Sequence, residues 1–354
     1  MSPERRTSSG RVTIKDVAAR AGVSTASASF ALNGKPSSKV STATRDRVLA
    51  AAKALAYRPN AMARQLGRGR SSLLGLISDS VAITPFAGEL IQGAQQAAWE
   101  CGYVLLVVDT EGDKQREREA VAMMLEHQVR GIVYSTMYHQ RVELPEELRG
   151  TNTVLANCYV TGDTVPAFVP NELQGGRSAT EILLEGGHRR VAYINEHHRC
   201  PAATGRFRGY RDALRAWGVP FDEKLVVRVP ERSSADHHGG RSYQQGGYEA
   251  ILDLTSSPSP PTAVFCYNDR VAMGVYDAAR ESGLRIPDDL AVVGFDNQEI
   301  LAAYLRPGLS TVALPHFEMG RESVRVLLST LESRPKIKPS RVELDCPRVL
   351  RGSA

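Results

Sequence analysis

Cysteine is scarce in this sequence: five in 354 residues, with no CxxC pair. Cys101, Cys158, Cys200, Cys266 and Cys346 lie far apart, and four sit in or beside apolar runs. They read as reduced thiols with a packing role, not as a disulfide frame or a zinc site. No apolar run approaches the ~20 residues that a membrane span needs. The start, MSPERRTSSGR, lacks the apolar core of a signal peptide, so residues 1–11 read as a disordered tail and the chain as cytoplasmic. No Ser/His/Asp order, paired-carboxylate pattern or phosphate loop stands out, which argues against an enzyme. His197, His198 and Cys200 are close in sequence, but adjacent histidines on a loop rarely converge on one metal; a solvated loop is the expectation. Neither metal nor cofactor is called for.

What the sequence does have is segregated charge. The formal net charge is +5, yet residues 1–70 alone hold fourteen Lys and Arg against Glu4, Asp16 and Asp46, a net +11. The remainder is therefore mildly acidic, at −6. A basic head on an acidic body is the electrostatic footprint of a nucleic-acid binder. At this length the chain suits two or three domains.

Within the basic region the apolar spacing is helical. Thr13 can cap a helix that turns Ile14, Val17, Ala18 and Ala21 inward, with Asp16 in its first turn. Gly22 suits the left-handed turn that follows. Ser24 can cap a second helix burying Ala28, Ala31 and Leu32, and Ser41 a third with Val48, Ala51, Ala52 and Leu55 inward. This is a helix-turn-helix in a three-helix unit, whose second motif helix would enter the major groove of DNA.

The order TIKDVA, AGVS, LNG, VSTATRDRV and YRPNAMARQL closely resembles the DNA-binding head of the LacI/GalR (lactose-repressor) family of bacterial transcription regulators. By that resemblance the base-facing residues of the second helix are Thr25, Ala26 and Phe30. Ser27 and Ser29 match phosphate contacts, and Thr13 and Ser24 stand at the helix starts beside them. None of the three base-facing residues is Arg, Gln or Asn, so bidentate purine reading is absent and thymine-methyl contacts from Ala26 and Phe30 are expected. The resemblance also implies a hinge at Asn60–Leu66 that folds on DNA, with Leu66 wedging into the minor groove beside Asn60 and Ala63.

From Leu73 the pattern becomes alternating strands and helices. LLGLI, VLLVV, GIVY and TVL alternate with helices at Phe86–Glu100 and Gln115–His127. A second series follows through VAYI, LVV, AVFC and LAVVGF, with helices at Gly175–Glu185, Phe207–Trp217, Ser242–Asp253 and Asp269–Ser282. The fold class is α/β: a helix-turn-helix head and hinge, then a core of two doubly wound parallel sheets. GHRR at Gly187–Arg190, Asn268-Asp269 and VGFD at Val293–Asp296 resemble the same family's effector core, which is similar to periplasmic sugar-binding proteins. The domains are then 1–11 tail, 12–57 DNA-binding head, 58–72 hinge and linker, and 73–354 core. The resemblance implies that, within the core, lobe 1 takes about 73–170 and 312–341, and lobe 2 about 171–311 and 342–351.

Ligands of such sheets sit beyond the carboxyl ends of the strands. Phe86, Ser135 with Thr136 and Met137, Asn268 and Asp296 qualify by position. The resemblance adds Arg206 as a ligand-contacting arginine and Phe265 as a stacking aromatic. Pro170 stands where many relatives place an aspartate before Asn171, so a ligand-anchoring carboxylate is missing there. The expectation is a homodimeric, ligand-responsive repressor of a pseudo-palindromic operator with a sugar-like effector. No leucine-heptad tail follows Leu350 to support a tetramer. The competing class, a solute-binding sugar receptor, leaves the basic head unexplained.

Overall fold

A capping box starts the first helix, α1 (Ile14–Ala21): the Asp16 carboxylate accepts from both the Thr13 N–H and the Thr13 hydroxyl at 2.8 Å. Gly22, at φ +63°, ends it, and the Val23 N–H closes back on the Ala18 carbonyl at 3.0 Å. The Ser24 hydroxyl then accepts from the Ser27 N–H to start α2 (Thr25–Leu32), and Ser41 caps α3 (Thr42–Ala54). Val17, Ala18, Ala28, Ala31, Val48 and Ala51 form the buried centre, with small residues letting the three helices approach closely. The computed structural model describes residues 12–32, 40–57, 71–82, 88–198, 200–229, 240–332 and 340–354. The chain divides into two units, Met1–Ser72 and Leu73–Ala354. The hinge positions Asn60, Ala63 and Leu66, and the candidate Phe86, lie outside the described residues.

The second unit carries two parallel sheets. The first contains β1 (Leu73–Ser78), β2 (Val104–Asp109), β3 (Ile132–Arg141), β4 (Thr153–Tyr159), β5 (Ala167–Pro170) and β11 (Arg341–Leu344), ordered β11-β5-β4-β3-β1-β2. Its flanking helices include α4 (Gly88–Glu100), α5 (Lys114–Glu126) and α11 (His316–Glu332). The second sheet runs β7-β6-β8-β9, from β6 (Val191–Asn195), β7 (Val226–Arg228), β8 (Ala263–Cys266) and β9 (Ala291–Val293). Helices α6 (Glu172–Glu185), α7 (Pro201–Ala216), α8 (Gly240–Thr255) and α9 (Asp269–Glu281) cover it, and a short α10 (Glu299–Ala302) follows. A small antiparallel pair, β10 (Thr311–Val312) with β12 (Arg348–Val349), extends it through bridges from Val293 to Ser310 and Asp296 to Ala313.

Several boundaries differ from the sequence expectation, each for a local reason. β5 has no alternating pattern to announce it, because all four of its residues are buried. α7 begins at Pro201, six residues before Phe207, since proline is well accommodated in a first helical turn. β3 runs on to Arg141, but its register with β4 shifts between Ser135 and Gln140. The lobe assignment also needs correcting: residues 342–344, expected in lobe 2, pair with β5 as part of the first sheet and cover what would be its open edge.

Candidate functional site

On the head, α2 turns Ala28 and Ala31 inward and leaves Thr25, Ala26 and Phe30 exposed. Phe30 is 55% exposed, so it is not part of the head's core. Ser27 and Ser29 are half-buried alongside, and the Ser24 hydroxyl lies 2.9 Å from that of Ser27 at the start of the helix. The surface presented is short, nearly neutral and carries one large apolar side chain.

In the second unit a cavity of about 210 Å³ is lined from both lobes. β3 contributes Met137, Tyr138 and His139, delivered by the irregular stretch where its pairing with β4 slips. From the second lobe come Glu172 of α6, Arg206 of α7 and the residues just past three strands: Glu196 after β6, Tyr267 and Asn268 after β8, and Asp296 after β9. Carboxyl ends of parallel strands are where such sheets open crevices.

Arg206 is the centre of this arrangement and is only 3% exposed. Its Nε donates to Glu172 Oε2 at 2.8 Å, and its Nη1 donates to the Tyr267 carbonyl at 2.6 Å. Nη1 also lies 3.5 Å from Asp296 Oδ1. The guanidinium stacks 3.7 Å from the Phe295 ring centroid and 4.7 Å from that of Tyr267. Burial alone would lower its pKa, but Glu172 and Asp296 hold it well above the ordinary value. Glu172 shows the reverse: burial would raise its pKa, and Arg206 and then His139 bring it below the usual carboxylate range. The other Glu172 oxygen lies 3.3 Å from His139 Nδ1, so one carboxylate joins the two lobes.

Asp296 and Asp269 sit side by side behind this pair. Asp296 holds φ +99°, a strained backbone of the kind that persists where surrounding structure demands it. Burial pushes its pKa up to about 6, against the pull of Arg206. Asp269 is fully buried; burial first, then the neighbouring Asp296, push it up to about 8. It accepts from the Thr311 hydroxyl at 2.7 Å and the Gln298 N–H at 2.6 Å, tying α9 to β10. Folding favours the neutral carboxyl here, so its contribution is full below its ordinary value of 3.8 and is lost as pH rises towards about 8. Asp269→Asn should therefore gain stability relative to the wild type between pH 5 and pH 8. Urea unfolding of both proteins at the two pH values checks this, and a difference that does not change with pH, or moves the other way, rejects it.

Among the expected ligand residues, Arg206, Asn268 and Asp296 reach the cavity. Asn268 also caps α9 by accepting from the Val271 N–H at 2.9 Å, so structural and lining roles coexist. Phe265 must be corrected: it is fully buried, packed 4.7 Å from Tyr193 within the lobe core, and Tyr267, beyond the end of the strand, lines the cleft in its place, as do Tyr138 and Tyr243. Ser135 is likewise buried in β3 and does not line the cavity; Met137 does. Two residues past Pro170, Glu172 brings a carboxylate to the cavity wall, held by Arg206. His197 and His198 are exposed in the segment between β6 and α7, as expected of a solvated loop, and His198 and Cys200 also line the cleft; Cys200 caps α7, accepting from the Ala203 N–H at 3.4 Å. No metal-holding group of three or more ligands occurs among the described residues. Glu172, Glu196, His139 and Tyr267 were not singled out from sequence, although the strand-end rule points to Glu196 and Tyr267.

A basic helix-turn-helix unit joined to a two-lobed α/β cleft defines a DNA-binding regulator with a small-molecule pocket. The family model "Bacterial regulatory proteins, lacI family" matches residues 13–60, and "Periplasmic binding protein-like domain" matches residues 180–354. The chain is 32% identical over 342 residues to the HTH-type transcriptional repressor CytR of Escherichia coli (strain K12), covering 96% of each chain. It is 33% identical over 344 residues to the ribose operon repressor of the same organism, covering 97% of this chain and 99% of that one. Among solved structures, the transcriptional regulator CelR in complex with cellobiose superposes with a TM-score of 0.65 at 28% identity, covering 97% of this chain and 100% of that one. The chain belongs to the LacI family: it is a ligand-responsive, DNA-binding transcriptional regulator and not an enzyme.

Proposed function

We propose that the chain is a homodimeric repressor whose interlobe cavity binds a sugar or a close chemical relative as effector. The observation that carries this is Arg206, buried between two aromatic faces and two carboxylates at the junction of the lobes. Such a group donates hydrogen bonds to hydroxyls while Tyr267 and neighbouring apolar side chains pack against a ring. The ribose operon repressor and the cellobiose-bound CelR support a saccharide by their names. Both lobes contribute lining residues, so a bound effector favours one lobe arrangement over another in proportion to its differential affinity. Residues 58–72 then carry that change to the head, with Leu66, Asn60 and Ala63 acting in the minor groove.

Two symmetric heads read two half-sites, so the operator is pseudo-palindromic. Dimerisation is supported by apolar side chains left exposed in the single chain: Trp99 on α4 and Val104 on the edge strand β2, and in the other lobe Ile300 and Tyr304, the last 73% exposed. A second copy covering them removes both an open edge and an apolar surface from water. No described helix is long and apolar enough to cross a membrane, and we place the protein in the cytoplasm.

On the DNA, Thr25, Ala26 and Phe30 face base edges, while Thr13, Ser24, Ser27 and Ser29 hold phosphates at the helix starts. Phe30 contacts thymine methyls. Phe30→Ala, at an exposed position that the head's packing does not need, should weaken discrimination at that operator position by about 1 kcal/mol. Selection from a randomised duplex pool by both proteins tests it; identical base preferences reject the assignment. The function as a whole is tested by a mobility shift on the selected operator, titrated with ribose and cellobiose. A shift that neither these nor any other saccharide changes would remove the effector half of the proposal.

A further inference from the structure

Resting on the cleft as effector site, we propose that Glu196 is a charge filter that admits uncharged or amine-bearing polyhydroxy ligands and excludes phosphate esters and carboxylates. Glu196 is 3% exposed and lines the cavity just past the end of β6. Its Oε1 accepts from the His197 N–H at 2.8 Å and the His198 N–H at 3.5 Å, and its Oε2 accepts from the Tyr243 hydroxyl. These donors fix the carboxylate in place. None of the ion pairs among the described residues includes Glu196, and Arg228 reaches its backbone carbonyl, at 3.2 Å, rather than its side chain.

The rest of the lining offers an anion little compensation. Glu172 and Asp296 add two further buried carboxylates. Arg206 is matched by both, with the Tyr267 carbonyl accepting as well. The other lining arginine, Arg270, donates to the neutral Gln298 amide at 3.4 Å and its charge acts on Asp296, so the lining sets three carboxylates against two arginines. A phosphate placed here would meet carboxylates in a partly enclosed, low-dielectric space, where like-charge juxtaposition is strongly disfavoured. Ligand hydroxyl or ammonium donors, in contrast, meet no such repulsion and can add hydrogen bonds to these carboxylates. Glu196 acts directly on the ligand, while Tyr243 positions it.

The test uses the full chain and matched probes: ribose with ribose 5-phosphate, glucose with glucose 6-phosphate and with glucosamine, and a nucleoside with its monophosphate. Binding is read by calorimetry for the wild type, Glu196→Gln and Glu196→Asp. The wild type should bind the uncharged member of a pair at least about tenfold more tightly than its phosphate. Glu196→Gln, which keeps the shape and an acceptor for Tyr243, should shrink that ratio severalfold, and Glu196→Asp should retain it. A phosphate that binds the wild type as well as its parent overturns the proposal, as does a ratio unchanged in Glu196→Gln when the ligand-free variant melts like the wild type. Silence from both members of every pair overturns the cleft's assignment as a saccharide or nucleoside site, and the filter with it. Binding of uncharged members without discrimination overturns the filter alone.

Discussion

Arg206→Ala should destabilise the two-lobed core by about 3–5 kcal/mol, because it leaves Glu172 and Asp296 as buried carboxylates without their cation. The loss extends beyond the ion pair: Phe295 and Tyr267 lose the guanidinium stacked on them, and the Tyr267 carbonyl loses its donor. Urea unfolding of the full chain, followed on the core transition, measures this. Adding Glu172→Gln in the alanine background should restore part of the stability, since one uncompensated charge is then removed. A single variant within about 1 kcal/mol of the wild type would mean that water reaches the carboxylates, and that burial is not what sets the energetics of the cleft. The effector-dependent change in DNA binding should be lost in Arg206→Ala even where folding is rescued.

Most of the fold was legible because its signals are local. The capping box at Thr13 and Asp16, the left-handed turn at Gly22 and the buried alanines of α2 are each written within one helix turn, and together they announce the head. The strands announce themselves as apolar runs. The site was legible only in part, because membership depends on where each strand stops. Phe265 lies inside β8 and packs in the core; Tyr267 lies just past its end and faces the cleft. Two residues of register separate a stacking aromatic from a packing one, and apolar periodicity does not resolve that. His139 was hidden more deeply: the β3 irregularity that brings it to the cavity arises in pairing with β4, which no local pattern reports. Pro170 offers no carboxylate at its own position, and Glu172 brings one to Arg206 from the first turn of α6.

The same cleft shows why a regulator of this design places charge at the junction of its lobes. The Glu172 carboxylate binds Arg206 within the second lobe and His139 from the first. Buried ion pairs of this kind contribute little net stability against apolar packing, but breaking one is costly. Lobe positions that preserve this geometry are therefore strongly separated in energy from those that do not. A ligand that adds donors to the arrangement acts on that difference, which is the requirement for an effector to shift populations.

What holds Glu172 and Arg206 at contact distance is the absence of side chains on the helices that carry them. α6 and α7 cross at Gly176 and Gly209: a Cβ on Gly209 would lie 2.2 Å from the Leu173 carbonyl oxygen and 2.4 Å from the Arg177 nitrogen, and one on Gly176 would lie 2.4 Å from the Arg206 carbonyl oxygen. Backbone, not a flexible side chain, fills the space, so the helices must part to admit a methyl group. Gly209→Ala should therefore cost about 1–3 kcal/mol of core stability. It should also weaken effector binding by about tenfold, because the shift displaces the Arg206 guanidinium relative to Glu172 and Tyr267. Gly320→Ala is the control: its Cβ would strike the Leu90 carbonyl oxygen at 1.9 Å in the α4–α11 pair of the first lobe. It should lose comparable stability while leaving the Glu172–Arg206 pair in register. Calorimetric affinity for one saccharide, set against the unfolding free energy of each variant, separates the two effects. If both variants lose affinity only in proportion to stability, the helix crossing supports the fold without tuning the site; if Gly209→Ala alone loses affinity beyond its stability cost, the glycine contact sets the geometry of the effector cleft.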